Sequence, residues 1–140
     1  MNPSTIRVRI LVQDFKKMFD FYKNVMEYKV IWGDRDGTYA SFGLKDQEQA
    51  EFAIYVKEDY SFYQGYTDNG SDTKSDYIVM CMGCDDVDEY YHYLKAKGVE
   101  FIGEPRDIPE WYYRVVLMRD PEGNLIDIGS AMKEQKNIGD

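Results

Sequence analysis

The stretch 120–127, DPEGNLID, decides the fold of this chain. Its first half has the composition of a tight turn, and its second half begins a strand with alternating apolar residues. An offset of 72 residues aligns Ile126 with Ile54, and Ile128 with Val56. Self-similarity at a fixed offset indicates an internal duplication.

The same offset aligns the starts of two amphipathic helices. Asp14 aligns with Asp86, each a good N-cap, and Phe19 aligns with Tyr91. The first half is predicted to contain a strand over 6–12, a helix over 15–28 and strands over 28–32, 38–44 and 51–56. The second half is predicted to contain a strand over 77–84, a helix from Val87 that ends near Gly98, and strands over 99–102, 111–118 and 124–128.

We therefore predict an α+β fold of two tandem βαβββ modules. Because each helix covers one face of its sheet, the curved mixed sheets are expected to enclose a shared cavity with their opposite faces. The expected boundaries are a first module over 1–56, an inter-module loop over 57–76, a second module over 77–130 and a polar tail over 131–140, in one structural domain overall. The loop contains several aromatic residues and acts as either a lid or a linker.

Composition narrows the classes of function. The chain has 140 residues and a formal net charge of −9, which disfavours nucleic acids and anionic membrane surfaces as partners. Its longest apolar run, 77–82, is too short for a membrane helix. Two cysteines without a secretion signal favour a reduced, cytoplasmic protein.

Few residues suit nucleophilic, redox or zinc chemistry. His92, the single histidine, is expected at the surface in the middle of a helix. Cys81 and Cys84 have the spacing of a redox or zinc motif, but three positions on a strand point them to opposite faces. We therefore interpret both cysteines as small buried strand residues.

Aromatic residues make up 16% of the chain, which is unusually high. Some of them are expected to line a pocket and stack on a planar or cationic ligand, while others serve as core or dimer-interface residues. The candidates for pocket walls are Trp32, Tyr39, Tyr55, Trp111, Tyr112 and Tyr113, with Trp111 the strongest.

Several segments, taken in order, resemble the vicinal oxygen chelate superfamily, which holds glyoxalases, extradiol dioxygenases and bleomycin-resistance proteins. The segments are VQDF at 12–15, FDFY at 19–22, DDVD at 85–88, KGVEF at 97–101 and DPEGNLID at 120–127. The resemblance runs from Ile6 to Gly129. It implies paired βαβββ modules and, often, homodimers.

The resemblance also implies where metal ligands would lie. Metal-dependent members place four ligands on the first and last strands of each module, at positions that correspond here to Arg7, Tyr55, Val79 and Asp127. A guanidinium cannot ligate a metal, and valine has no donor atom. Neutral tyrosine is a weak ligand, so Asp127 is the one ordinary ligand of the four. The sequence therefore predicts no metal site and no cofactor.

Arg7 has two interpretations that the sequence leaves open. Either its cation replaces the metal, pairs with Asp127 and orients a polar group of a ligand, or it points to solvent at a strand end. Arg114 is a further candidate because it follows the aromatic run that enters the penultimate strand.

The sequence thus predicts a metal-free protein that sequesters a small aromatic or cationic molecule in an aromatic-lined cleft. The alternative is a lyase or dioxygenase of the same superfamily, with a divergent active site around Asp127 and Tyr55 or Arg114. A third interpretation is a protein–protein interaction module that only inherits the fold. The predicted ligand-binding residues are Arg7, Trp32, Tyr39, Tyr55, Trp111, Tyr112, Arg114 and Asp127.

Overall fold

The computed structural model describes residues 1–67 and 76–133. The chain divides into two compact units, Met1–Asp72 and Thr73–Asp140, each with one four-stranded sheet. The predicted α+β class is confirmed, with one βαβββ module in each unit. Parts of the predicted loop and tail lie outside the described residues. No helix within the described ranges is long and apolar enough to cross a membrane.

The first unit contains β1 (Val8–Val12), α1 (Phe15–Asp20), β2 (Lys29–Gly33), β3 (Tyr39–Gly43) and β4 (Phe52–Val56). Its strands are ordered β1-β4-β3-β2. β1 runs parallel to β4, and the other neighbouring strands are antiparallel. The parallel pairing of β1 with β4 is possible because the connection between these two strands is long and contains α1, β2 and β3.

Aromatic side chains form the core between this sheet and the helical segment. Phe42 and Phe52 are cross-strand partners whose rings stack at 5.4 Å. Tyr22 is fully buried and packs edge-on against Phe52 at 5.0 Å. The predicted N-cap Asp14 is confirmed, since its carboxylate accepts a hydrogen bond from the Lys17 backbone N–H at 3.1 Å.

The helical segment is shorter than predicted. After α1 the chain continues as one π-helical turn over Phe21–Val25. Glu27 then adopts a left-handed backbone with φ of 62°. This conformation ends helices, and for that reason the predicted extension to Tyr28 is wrong.

The second unit contains β5 (Val79–Gly83), α2 (Val87–Ala96), β6 (Arg106–Ile108), β7 (Tyr113–Arg119) and β8 (Leu125–Ala131). Its strand order, β5-β8-β7-β6, repeats that of the first unit. The predicted cap of α2 is confirmed, because the Asp86 carboxylate accepts hydrogen bonds from the backbone N–H groups of Asp88 and Glu89. Gly98, with φ of 94°, follows the helix as predicted.

One predicted strand is wrong. The 99–102 stretch contributes a single isolated bridge, Phe101 to Met118, and the strand that pairs with β7 is β6. The apolar residue at position 101 is explained by packing on the helix, since the ring of Phe101 lies 4.7 Å from that of Tyr91 in α2. Trp111 also lies outside a strand, in a 3-10 turn over Pro109–Trp111.

The internal repeat is not in strict register at its last strand. In the first sheet Arg9 lies opposite Ala53, 44 positions later in the chain. In the second sheet Cys81 lies opposite Asp127, 46 positions later. The difference of two residues preserves the face of every side chain, since the period of a strand is two.

Candidate functional site

One face of the first sheet carries a concentration of aromatic and cationic side chains. Alternation places Arg9 and Leu11 of β1 on the face that points away from α1, together with Tyr39 and Tyr55. Tyr39 and Tyr55 are cross-strand partners, with ring centroids 5.6 Å apart. We call this surface the open face of the first sheet.

A chain of aromatic contacts extends from the open face in both directions. At one end Trp32 lies 5.7 Å from Tyr39. At the other end, a 3-10 helix over Lys57–Phe62 brings Tyr60 to 5.9 Å from Tyr55. Tyr60 also lies 4.6 Å from Tyr63 and 5.7 Å from Tyr66. We call these residues the aromatic cluster: Trp32, Tyr39, Tyr55, Tyr60, Tyr63 and Tyr66.

Arg9 lies in the middle of the aromatic cluster. Its guanidinium carbon is 5.2 Å from the ring centroid of Tyr39 and 5.6 Å from that of Tyr55, within cation–π range. Partial burial alone would lower the pKa of Arg9. Hydrogen bonds to the phenol oxygens of Tyr63, Tyr60 and Tyr39 outweigh that effect, so the pKa is raised above its usual value. Arg9 is therefore a fixed positive charge.

The surroundings of Arg9 differ from those of the arginines that form ion pairs. Arg35 pairs with Asp20, Arg119 with Asp76, and Arg114 with Asp88 and Asp107. Within residues 1–67, no carboxylate lies at ion-pair distance from Arg9. Its charge is balanced by rings and phenols, which solvate a cation without neutralising it.

A cleft of about 390 Å³ adjoins the aromatic cluster. Its lining consists of Leu11, Lys57, Tyr66 and Thr67. Leu11 continues the open face beyond Arg9, and Tyr66 belongs to the aromatic cluster. The volume falls within the range of small-molecule sites, ~300–1,000 Å³.

Three of the predicted site residues come together in this unit: Trp32, Tyr39 and Tyr55. Arg7 does not join them, because it is exposed and lies one residue before β1 begins. Sequence reasoning placed Arg9 on the correct face but selected Arg7 as the functional cation. It also left Tyr60, Tyr63 and Tyr66 in a loop, although their regular spacing of three residues was a signal for one helical side.

The corresponding face of the second sheet has different chemistry. Asp127 lies between Cys81 of β5 and Leu117 of β7. Burial raises the pKa of Asp127 above its usual value. In the described part of the second unit, no cation lies within ion-pair distance of this carboxylate. Cys81 is exposed, so its assignment as a buried strand residue is wrong.

The side chain of Tyr113 lies on this face of the second sheet, next to Gly129 and Gly83. A methyl group on Gly129 would overlap the Tyr113 ring, and one on Gly83 would lie 3.8 Å from the Tyr113 hydroxyl oxygen. Gly129 thus makes room for the tyrosine ring against the backbone of the sheet, whereas a Cβ at Gly83 would make an ordinary contact with the hydroxyl group.

The remaining predicted site residues of the second unit lie elsewhere. Trp111 and Tyr112 are exposed at the connection between β6 and β7, where Tyr112 adopts a left-handed backbone with φ of 53°. Arg114 is engaged in a bidentate pair with Asp88 at 2.8 and 3.1 Å. His92 is exposed on α2, as predicted.

The side chains at the four implied metal-ligand positions do not fit a metal ion. Tyr55 is packed between the rings of Tyr39 and Tyr60, Arg7 is a cation, and Val79 has no donor atom. Asp127 is the one carboxylate. No cluster of three or more His, Cys, Asp or Glu side chains suited to a metal occurs within residues 1–67 and 76–133.

Comparisons with known proteins agree with this architecture. The uncharacterized protein YraH of Bacillus subtilis (strain 168) is 31% identical over 125 residues, which is 88% of this chain and 94% of YraH. The fold resembles a lactoylglutathione lyase from Agrobacterium tumefaciens, with a TM-score of 0.68, 20% identity and coverage of 99% of this chain and 98% of the lyase.

It also resembles TnmS3, an antibiotic binding protein from Streptomyces sp. CB03234, with a TM-score of 0.64, 21% identity and coverage of 94% and 98% of the two chains. The family model of the Glyoxalase/Bleomycin resistance protein/Dioxygenase superfamily matches residues 5–128. The chain therefore belongs to this superfamily.

Proposed function

We propose that this chain is a metal-independent binding protein that holds a small planar aromatic molecule on the aromatic cluster. The observation that carries the proposal is the unbroken series of ring contacts from Trp32 to Tyr66. Such a surface offers stacking to any flat ring without covalent chemistry, at about 1–3 kcal/mol per stacked ring.

Three further observations support the binding proposal. The cleft beside the cluster has room for a ligand of drug-like size. The donor set at the implied metal positions does not suit a Lewis-acid centre. One of the structural relatives, TnmS3, is named as an antibiotic binding protein, so the binding of an antibiotic has a precedent on this fold.

A second candidate function rests on Asp127. A half-buried carboxylate whose pKa is raised by burial is a candidate general acid or base. A lyase or dioxygenase reaction with a divergent site would use this group to move a proton. The lactoylglutathione lyase among the relatives is the corresponding precedent.

The test of the first proposal is a binding measurement with a neutral aromatic probe. Chelator-treated protein is titrated with naphthalene-2-methanol by calorimetry, and saturation-transfer NMR follows the probe if the heats are small. We expect saturable binding that weakens at least fivefold in Tyr55→Leu, the low end of ~1–3 kcal/mol for a stacked ring.

The matched control is Tyr93→Leu, which removes an exposed tyrosine from α2 in the other unit. This variant is expected to bind like the wild type. No saturable binding, or equal losses in both variants, would refute the proposal. Binding that requires added metal would favour the second candidate, which Asp127→Asn then tests by its effect on turnover.

A further inference from the structure

We propose that the aromatic cluster selects aromatic acids: the ligand carries a carboxylate or similar anionic group, and Arg9 receives it. This inference rests on the proposed binding function and adds the class of ligand. It runs against the net charge of −9, which alone would favour cations.

The first argument is that no carboxylate among residues 1–67 neutralises the charge of Arg9. Arg9 is exposed, and its hydrogen-bond acceptors are phenols, whereas Arg35, Arg114 and Arg119 each bind an aspartate. A guanidinium has five N–H donors, and three phenols do not use all of them. Its planar fork matches a carboxylate, to which it makes short, charge-assisted hydrogen bonds.

The second argument is that the phenols beside Arg9 supply hydrogen-bond donors. Tyr39 and Tyr60 accept hydrogen bonds from Arg9, and each phenol retains its own O–H as a donor. A ligand group that approaches Arg9 therefore meets N–H and O–H donors together. An anion offers only acceptors, so it complements this set, whereas an ammonium group would be repelled by Arg9.

The third argument is position. Arg9 lies over the rings of Tyr39 and Tyr55, so an anion bound to it is held beside a stacking surface. A second cation, Lys57, lines the adjoining cleft. Charges that lie farther from Arg9 than about 8 Å, the Debye length at physiological ionic strength, are largely screened.

The experiment compares three probes of one shape and different charge: naphthalene-2-carboxylate, naphthalene-2-methanol and naphthalene-2-methylammonium. Dissociation constants are measured by calorimetry on the full chain at physiological ionic strength. We expect the carboxylate to bind at least tenfold more tightly than the alcohol, and the ammonium to bind most weakly.

Variants locate the origin of this preference. Arg9→Gln is expected to bring the carboxylate to within threefold of the alcohol, and Tyr60→Phe, which keeps the ring, to reduce the preference by a smaller factor. Arg106→Gln, which removes an exposed arginine of the second unit, is the matched control and should keep the full preference. Circular dichroism verifies that each variant is folded.

The outcomes separate the two proposals. If the alcohol binds as tightly as the carboxylate, the inference is overturned while the binding function stands. If the ammonium binds most tightly, the inference is overturned in favour of a cationic ligand. If Arg7→Gln, and not Arg9→Gln, removes the preference, the assignment to Arg9 is wrong. If no probe binds, the proposed function itself fails.

Discussion

Arg114 connects three elements of the second unit through one guanidinium. Its Nε and Nη2 atoms donate to the two carboxylate oxygens of Asp88 in the first turn of α2, and Nη1 donates to Asp107 of β6 at 3.1 Å. The hydrogen bond from Arg114 is the largest of the effects that lower the pKa of Asp88. A bidentate pair of this kind has a fixed geometry, unlike most exposed ion pairs.

Replacing Asp88 by asparagine is therefore expected to lower the free energy of unfolding by about 1 kcal/mol near neutral pH, allowing for solvent screening of a partly exposed pair. Because the pKa of Asp88 is depressed in the fold, its contribution is complete above its unfolded pKa, about 3.9. The contribution is lost as the pH falls through the lower folded value. Urea unfolding followed by circular dichroism at a series of pH values measures the difference.

Asp107→Asn is the comparison, because Asp107 accepts one hydrogen bond from Arg114 where Asp88 accepts two. Its expected cost is smaller. The interpretation would be contradicted by an Asp88→Asn deficit that stays constant into strong acid, or by a larger deficit in Asp107→Asn.

The sequence predicted correctly on which face of a strand a residue lies, but it did not predict which side chains that residue contacts. Alternation placed Arg7 and Arg9 on one face, but period-two patterning cannot say where a strand begins. β1 begins at Val8, which leaves Arg7 outside it and Arg9 among the tyrosines. The ion pair between Arg114 and Asp107 could not be predicted either, because Asp107 belongs to a strand that has no pattern of alternating apolar residues.

At the scale of elements, most strands and both helices could be predicted because one face of each is buried. The exception is β6, whose sequence Arg106-Asp107-Ile108 has two charged residues and no alternation. Pairing with β7 and the Asp107–Arg114 ion pair hold it in place. The 99–102 stretch resembles a strand in sequence because it contains Phe101, whose ring packs on Tyr91 of α2. At the edge of the second sheet, tertiary contacts and not the local hydrophobic pattern therefore decide which segment forms the strand.

The pairing of β7 with β8 depends on a glycine that no sequence pattern identified. Gly129 lies beneath the ring of Tyr113, and a Cβ there would overlap the ring carbons. Gly129→Ala is expected to lower the free energy of unfolding by about 1–3 kcal/mol, as overpacking in a filled site does. Chemical denaturation gives this value directly.

Gly103→Ala is the matched control, since nothing lies within 4 Å of a Cβ at Gly103, and it should be nearly neutral. Tyr113→Ala removes the obstruction, so it should rescue much of the Gly129→Ala loss in the double variant. An equal cost for the alanine at Gly129 with and without Tyr113 would show that the ring is not the cause.

For the whole molecule, two copies of one topology carry different chemistry. The first sheet presents Arg9 and a continuous series of rings, while the second presents Asp127 and Cys81 beside the ring of Tyr113, which lies over Gly129. The 72-residue repeat made the duplication visible in the sequence, because core positions retain their apolar character. The chemistry on the opposite faces has no such repeat, so it had to be found in the structure.

The final prediction concerns divalent metals and the whole chain. Chelator-stripped protein is titrated by calorimetry with Ni²⁺, Zn²⁺, Mn²⁺ and Fe²⁺, and we expect no binding of one ion per chain at micromolar affinity. The reason is the donor chemistry, since stable sites for these ions need several nitrogen, sulfur or oxygen ligands and Asp127 alone supplies one. Asp127→Ala should give the same titration as the wild type. Stoichiometric micromolar binding that Asp127→Ala abolishes would instead establish a metal centre at this carboxylate, and metal-dependent turnover would then become the function to test.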